Sequence, residues 1–94
     1  MKVTFSIITV TLNSKINLLK TIESVQEQNY HYYFHIIKDG LSNDQTNRIN
    51  FKEFNNTSFY EFKDNGIYDA MNQAFKYASN EFIIYLNAGD KFVS

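Results

Sequence analysis

The chain has 94 residues, carries a formal net charge of −1 and is 44% hydrophobic, with 7 Tyr and 9 Phe. This length and composition are typical of one compact folded unit, and they exclude a second domain and an intrinsically disordered chain. The balanced charge excludes a global attraction to nucleic acid, and the lack of cysteine excludes disulfides, thiolate catalysis and cysteine-bound zinc.

The first part of the chain alternates strand and helix patterns. Residues 3–10 are rich in β-branched side chains and predict a mostly buried strand. Residues 15–28 predict a helix, with Asn13 or Ser14 as its N-cap. Residues 33–39 predict a second strand. The expected apolar face of the helix repeats every three residues and consists of Ile16, Leu19, Ile22 and Val25.

The rest of the chain continues this alternation. Residues 41–54 predict a short, poorly buried helix, for which Asp44 is the expected N-cap. Residues 57–63 predict a third strand, residues 67–78 a helix and residues 81–87 a fourth strand. Strands that alternate with helices indicate an α/β fold built from parallel β-α-β units with right-handed crossovers.

Polar side chains follow the carboxyl end of every predicted strand. In a parallel sheet, ligands bind beyond that edge, so these residues predict a binding site there. Carboxylates at this edge could accept hydrogen bonds from a base or sugar, or ligate Mg²⁺ or Mn²⁺. The residues are Thr11, Leu12 and Asn13 after strand one, Asp39 after strand two, Asp64 after strand three, and Asn87 and Asp90 after strand four.

Few cations lie near this edge in the sequence, the nearest being Lys38, Lys63 and Lys91. A metal-bridged nucleotide diphosphate is therefore favoured over one held by basic side chains. The chain also lacks the Gly-rich phosphate loops of P-loop and dinucleotide-binding proteins, which disfavours both classes.

A structural interpretation stands beside this functional one. Asp and Asn are common in loops because they form turns and caps, so each carboxylate taken alone is more often structural than functional. Asp69 is expected on a solvated helix face, and Asn72 could face solvent or reach the edge. His31 and His35 lack partners at metal-ligand spacing and are interpreted as structural.

Five segments, in this order and spacing, resemble the N-terminal, nucleotide-sugar-binding half of the GT-A fold glycosyltransferases of inverting family two. They are residues 7–13, 19–28, 36–46, 64–75 and 81–90. The resemblance implies a three-layer, Rossmann-like half domain with a parallel sheet in strand order 3-2-1-4, of the nucleotide-diphospho-sugar transferase type. It also implies that residues 1–94 form one N-terminal part of that domain, without the acceptor-binding half.

The resemblance implies a role for individual positions. The end of strand one, Val10, Thr11, Leu12 and Asn13, would line the nucleobase pocket. Asp39 would accept a hydrogen bond from the base, which is uracil in most members. Asp64, Asn72 and Asn87 would lie near the nucleotide, and Asp90 would bind Mn²⁺ or Mg²⁺ on the diphosphate.

Some positions depart from the family pattern, and we expect weaker base and metal binding as a result. Leu12 replaces an aromatic residue, Met71 replaces Arg, and Asn87 and Gly89 replace further carboxylates. No residue is assigned as the catalytic base, because the base and acceptor site of the family come from a later part of the domain.

The resemblance therefore implies a parent glycosyltransferase that moves a sugar from a UDP-linked donor to an acceptor hydroxyl in polysaccharide or glycan synthesis. The chain itself would be an inactive donor-binding fragment. A non-catalytic α/β interaction module derived from the fold remains the alternative. We expect a cytoplasmic location without a transmembrane segment, no nucleic-acid partner, and self-association through an exposed sheet edge.

Overall fold

A computed structural model describes residues 4–30, 32–78 and 82–90 of the chain. The expectations that concern Val3, His31, Glu81 and Lys91 lie outside these residues. The described elements, in chain order, are β1 (Phe5–Thr11), α1 (Lys15–Gln26), β2 (Tyr33–Asp39), β3 (Thr57–Glu61), α2 (Ile67–Phe75) and β4 (Phe82–Tyr85). Two short 3₁₀ turns, Thr46–Arg48 and Phe51–Glu53, lie between β2 and β3.

The four strands form one parallel sheet in the order β3-β2-β1-β4, which confirms the expected topology. In the register of the two central strands, Thr11 lies opposite Asp39, and Asp39 lies opposite Glu61 of β3. β1, β2 and β3 therefore end level with one another, and their carboxyl ends form a common edge.

The sheet is covered on both faces, as a three-layer α/β fold requires. On one face, Leu18 and Ile22 of α1 pack against Ile37 of β2. On the other face, Ile36 of β2 packs in a cluster that includes Ala70 of α2. Successive side chains of a strand point to opposite faces, so the neighbouring residues Ile36 and Ile37 serve different helices.

The predicted apolar face of α1 was wrong in part. Ile16 is 71% exposed, and Leu19 is only partly buried. A strict spacing of three residues drifts around a helix of 3.6 residues per turn, so the buried stripe follows spacings of three and four instead. The buried residues of α1 are Leu18, Thr21, Ile22 and Val25.

The predicted helix over residues 41–54 was also wrong, because the segment forms only the two 3₁₀ turns. Leu41 and Gln45 both adopt a φ of 67°, in the left-handed region that interrupts a right-handed helix. α2 ends at Phe75, three residues earlier than expected. No helix in the described part of the chain is long and apolar enough to cross a membrane.

Candidate functional site

The carboxyl edge of the sheet carries two clefts. The first, called here the α2 cleft, has a volume of about 230 Å³ and is lined by Val10, Thr11, Leu12, Asp64, Gly66, Ile67 and Ala70. The second, called the α1 cleft, has a volume of about 500 Å³ and is lined by Asn13, Ser14, Lys15, Ile16, Asn17 and Asp44. A smaller apolar cavity of about 150 Å³ borders Phe5 and Tyr33 at the amino edge, away from every predicted site residue.

The α2 cleft brings together four of the predicted nucleotide-binding residues: Val10, Thr11 and Leu12 from the end of β1, and Asp64 from beyond β3. Thr11 is 7% exposed, and its Oγ1 makes no hydrogen bond within the described residues. Thr11 lies opposite Asp39 in the sheet, and successive strand residues point to opposite faces, so this hydroxyl lies on the same face as Asp39 and not on the face of Asp64.

The carboxylate of Asp64 is held by two donors. Its Oδ2 lies 2.6 Å from the Nζ atom of Lys38, and its Oδ1 accepts a 3.1 Å hydrogen bond from the Gly66 amide. Burial acts to raise the pKa of Asp64, but the hydrogen bond and charge of Lys38, with the Gly66 amide, hold that pKa below its ordinary value. Asp64 is therefore ionised at neutral pH.

Lys38 is completely buried, although the sequence suggested it only as a cation near the edge. Its ammonium also donates a 2.5 Å hydrogen bond to the Phe62 carbonyl and lies 4.6 Å from the centroid of the Phe62 ring. The alternating pattern of β2, rich in apolar residues, gave no sign that this lysine would point inward and pair with Asp64.

Asp39 is also completely buried, and both of its oxygens accept hydrogen bonds from Ser42. The Ser42 amide donates to Oδ2 over 2.8 Å, and the Ser42 hydroxyl donates to Oδ1. Adjacent strand residues point to opposite faces, so Asp39 lies on the α1 face of the sheet, whereas Lys38 lies on the α2 face. Asp39 and Asp64 thus share the carboxyl edge but have separate partners.

The loop after β2 docks on the loop after β1. The Asn13 amide donates a 2.7 Å hydrogen bond to the Ser42 hydroxyl, and the Asn43 amide donates a 2.8 Å bond to Asn13 Oδ1. Asn13 has a φ of 51°, which Asn tolerates better than most residues. These contacts tie together the two loops in which the sequence predicted base-binding residues.

Asp44 caps α1 from outside the helix. Its Oδ2 accepts a 3.0 Å hydrogen bond from the Lys15 amide, whereas Ser14, the residue at the N-cap position, makes no side-chain capping bond. Oδ1 accepts a 3.2 Å bond from the Thr46 amide and a second bond from the Thr46 hydroxyl. The hydrogen bond from the Thr46 hydroxyl has the largest effect on the pKa of Asp44. Together with the Lys15 and Thr46 amides, it holds that pKa below its ordinary value.

The turn formed by residues 87–90 carries the predicted metal ligand. The Asp90 amide donates a 2.8 Å hydrogen bond to the Asn87 carbonyl, and the Asn87 amide donates a 3.0 Å bond to Asp90 Oδ2. Gly89 has a φ of 99°, a conformation that favours glycine. The Asp90 side chain therefore stabilises the turn through one oxygen while the residue stays exposed.

A buried hydroxyl from α1 fixes this turn. Thr21 Oγ1 accepts a 2.8 Å hydrogen bond from the Gly89 amide and donates a 2.8 Å bond to the Asp90 carbonyl. Thr21 is completely buried, but the predicted apolar face of α1, with its strict spacing of three residues, did not include it. The helix pattern with the correct spacing would have placed it there.

The donor atoms of the described residues suit a cation that is shared with phosphate oxygens. Those residues contain no group of three or more His, Cys, Asp or Glu side chains that could hold a metal ion. Mg²⁺ at nucleotide sites is held by one or two carboxylates together with phosphate oxygens and water. The exposed carboxylate of Asp90 fits that arrangement and does not fit a cage made only of protein ligands.

Three further polar residues have clear positions. His35 is completely buried, and its Nε2 lies 2.7 Å from the Thr9 hydroxyl, while burial lowers its pKa to about 4. It is a neutral core residue, as the sequence suggested. Asn72 is exposed on α2 and lines neither cleft. Asp69 accepts a 2.8 Å hydrogen bond from the Asn65 amide and so stabilises the start of α2.

The sequence matches a known protein family over most of its length. The family model described as Glycosyl transferase family 2 matches residues 6–92. No curated protein matches the chain.

Solved structures with this fold include TarS 1–349 from S. aureus in complex with UDP-GlcNAc. It has a TM-score of 0.85 and 26% sequence identity over 94% of this chain and 27% of that chain. A mannosyltransferase from Pyrobaculum calidifontis, PcManGT, in complex with GDP-Man and Mn²⁺, has a TM-score of 0.88 and 18% identity over 100% of this chain and 30% of that chain. The present chain thus spans less than a third of the length of either protein.

Proposed function

Since the chain belongs to glycosyl transferase family 2, we propose that it binds a nucleotide-diphosphate sugar at the carboxyl edge of its sheet. The observation that carries this proposal is the α2 cleft, where the end of β1 meets Asp64. These positions are more than fifty residues apart in sequence, and the fold brings them to the lining of one cleft. The TarS complex with UDP-GlcNAc supports a donor of this class.

The proposed donor is UDP-linked, and its base lies against the end of β1. Val10 and Leu12 give the α2 cleft apolar surface, and Asp64 gives it a carboxylate. Asp39 would accept a hydrogen bond from the base. Each oxygen of a carboxylate can accept two bonds, so Asp39 could keep those from Ser42. A base would reach Asp39 only if the Ser42 loop moved, because Asp39 is completely buried.

Asp90 is the proposed ligand for Mn²⁺ or Mg²⁺, with Asn87 and Thr21 holding the turn that presents it. When bound, the cation would supply positive charge to the departing diphosphate. The complex of PcManGT with GDP-Man and Mn²⁺ supports this use of a divalent cation in a protein of the same fold. Asn72 would lie at the outer border of the nucleotide site.

The proposed parent reaction is transfer of the sugar to an acceptor hydroxyl in polysaccharide or glycan synthesis. A base that deprotonates the acceptor commonly contributes about 10²- to 10⁴-fold to such a reaction. None of the described residues is assigned that role, and we propose that the 94-residue chain binds the donor without transferring sugar to an acceptor. Metal-dependent transfer by the purified chain to a panel of sugar acceptors would contradict this part of the proposal.

The location of the site can be tested by titrating UDP into the ¹⁵N-labelled chain and following its amide signals. We expect the largest shifts at Thr11, Leu12 and Gly66. The amides of Phe5 and Tyr33, beside the amino-edge cavity, are the internal control and should not move. Shifts confined to those two residues, or no shifts at all, would count against nucleotide binding at the carboxyl edge and favour the interaction-module alternative.

A further inference from the structure

The ion pair between Lys38 and Asp64 lies partly in the wall of the α2 cleft, because Asp64 lines the cleft and Lys38 is buried behind it. We propose that Lys38 is a positioning residue that holds the Asp64 carboxylate in one orientation, as a hydrogen-bond acceptor for the bound nucleotide. This inference rests on the proposed function and adds to it a residue that acts through Asp64 without touching the ligand.

Three independent features fix the position of the Asp64 carboxylate. Lys38 Nζ lies 2.6 Å from Oδ2, and the Gly66 amide lies 3.1 Å from Oδ1. On a third side, a Cβ atom added to Gly40 would lie only 2.7 Å from Oδ2. Because such a contact is too short, any larger residue at position 40 would have to displace the carboxylate. Gly40, at the start of the loop after β2, therefore leaves room for the Asp64 carboxylate because it has no side chain.

An ion pair that only stabilised the fold would not need to have its carboxylate in the wall of a cleft. Burying an ammonium carries a large desolvation cost, and a well-packed apolar residue is often at least as stabilising as a buried ion pair. Lys38 is completely buried, yet the Asp64 side chain is 11% exposed and lines the α2 cleft. The energetic cost of burying Lys38 is thus linked to an ionised group that a ligand can reach.

The ionisation state of Asp64 determines which kind of ligand group it can bind. An ionised carboxylate only accepts hydrogen bonds. The Asp64 carboxylate therefore suits a hydrogen-bond donor of the bound nucleotide other than the base group that is assigned to Asp39. Protonation of Asp64 would place a donor where an acceptor is needed and would weaken binding.

The other titratable groups on the adjoining elements have other partners or are exposed. Tyr60 of β3 is stacked on Tyr77, with ring centroids 3.8 Å apart. Asp69 of α2 is bonded to the Asn65 amide, and Asp39 lies on the opposite face of the sheet with Ser42. Lys63 is exposed. Lys38 is the one residue in the described part of the chain that forms an ion pair with Asp64.

The test is the pH dependence of UDP binding, measured by calorimetry with Mn²⁺ between pH 5 and 8, for the parent chain and for Lys38→Met. Without the ammonium, burial raises the pKa of the Asp64 carboxyl. We expect the variant to bind UDP roughly ten- to hundredfold more weakly at pH 7. Its affinity should fall further as the pH is lowered. The parent chain should lose no affinity through Asp64 in this range, because the pKa of its carboxyl lies below the ordinary value.

Matched variants separate positioning from a general effect of charge or stability. Lys63→Met removes the same charge from an exposed position and should leave the affinity and its pH profile unchanged. Lys38→Met combined with Asp64→Asn removes both charges, so it avoids an unpaired buried carboxylate. This double variant should fold even if the single variant does not, and it should bind UDP weakly with no added pH dependence.

The outcomes distinguish this inference from the proposed function. Parent binding of UDP with a pH-dependent loss in Lys38→Met supports both. Parent binding with the same affinity and pH profile in Lys38→Met, or with full affinity in the double variant, overturns the role of Lys38 and leaves the proposed function intact. A parent chain that binds no UDP overturns both.

Discussion

Thr21 in α1 is hydrogen-bonded over 2.8 Å to the carbonyl oxygen of Asp90, the residue proposed to hold the divalent cation. The same hydroxyl accepts a 2.8 Å bond from the Gly89 amide, so it connects the helix to both residues at the tip of the turn. A single buried side chain on a covering helix thereby sets the position of an exposed carboxylate.

Replacing Thr21 by Val should loosen this turn. Valine keeps the shape of threonine but leaves two backbone groups without their partner, which we expect to reduce the free energy of unfolding by about 1–3 kcal/mol. Urea denaturation measures this change, and calorimetry should show weaker Mn²⁺-dependent UDP binding. Thr21→Ser keeps the hydroxyl and should retain most of both properties, so equal behaviour of the Val and Ser variants would contradict the role of the hydroxyl.

Replacing Asp90 by Asn should remove the effect of Mn²⁺ on UDP affinity. The amide oxygen of Asn can still accept the hydrogen bond from the Asn87 amide, which spans 3.0 Å in the structure, so the turn is retained while the charge is lost. Affinity without metal should stay unchanged. Calorimetric titrations with and without Mn²⁺ give both values, and a variant whose UDP binding still tightens with Mn²⁺ would show that Asp90 is not the ligand.

The stability of the fold should fall as the pH is lowered from 6.5 toward 4. Burial lowers the pKa of His35 to about 4 from 6.5, so in this range the unfolded chain binds a proton that the folded chain does not. The free energy of unfolding is therefore highest, as far as His35 is concerned, above pH 6.5. It decreases as the pH falls, by roughly 3 kcal/mol in total.

Urea denaturation of the parent chain and of His35→Gln across this pH range isolates the contribution of the histidine. Glutamine does not titrate and can still form a hydrogen bond with the Thr9 hydroxyl, so the variant should show a flatter pH dependence. Parallel curves for the two proteins would mean that His35 titrates normally in the folded state.

The outer edge of β4 should promote self-association. Among the described residues, β4 pairs only with β1, and Phe82 and Tyr85 are 46% and 44% exposed. An unpaired edge strand with apolar side chains is a template for pairing with another chain. Sedimentation velocity should show larger species as concentration rises, and Tyr85→Lys should reduce them. A parent chain that stays monomeric at high concentration would argue against this edge as an interface.

The sequence was informative where one strong pattern decided the structure. β-Branched runs and alternation gave all four strands, and residues 33–39 were predicted with the observed bounds. The order of the strands came from the family resemblance, together with the uniformly apolar first strand, which is expected in the centre of the sheet.

The sequence was less informative where long-range contacts decide the structure. The segment over residues 41–54 was expected to be helical, but Asp44 bonds instead to the Lys15 amide of a helix that lies far away in sequence. The roles of Lys38 and Thr21 were not predicted, for the same reason. A lysine in a strand and a threonine in a helix reveal their roles only when Asp64 and the 87–90 turn are brought beside them.

The central claim is that the carboxyl edge of this sheet binds a nucleotide diphosphate with help from a divalent cation. Isothermal titration of UDP into the purified chain, with and without Mn²⁺, tests it most directly. We predict saturable binding to one site per chain, with higher affinity when Mn²⁺ is present and no such gain in Asp90→Asn. The absence of any UDP binding in both conditions would contradict the account.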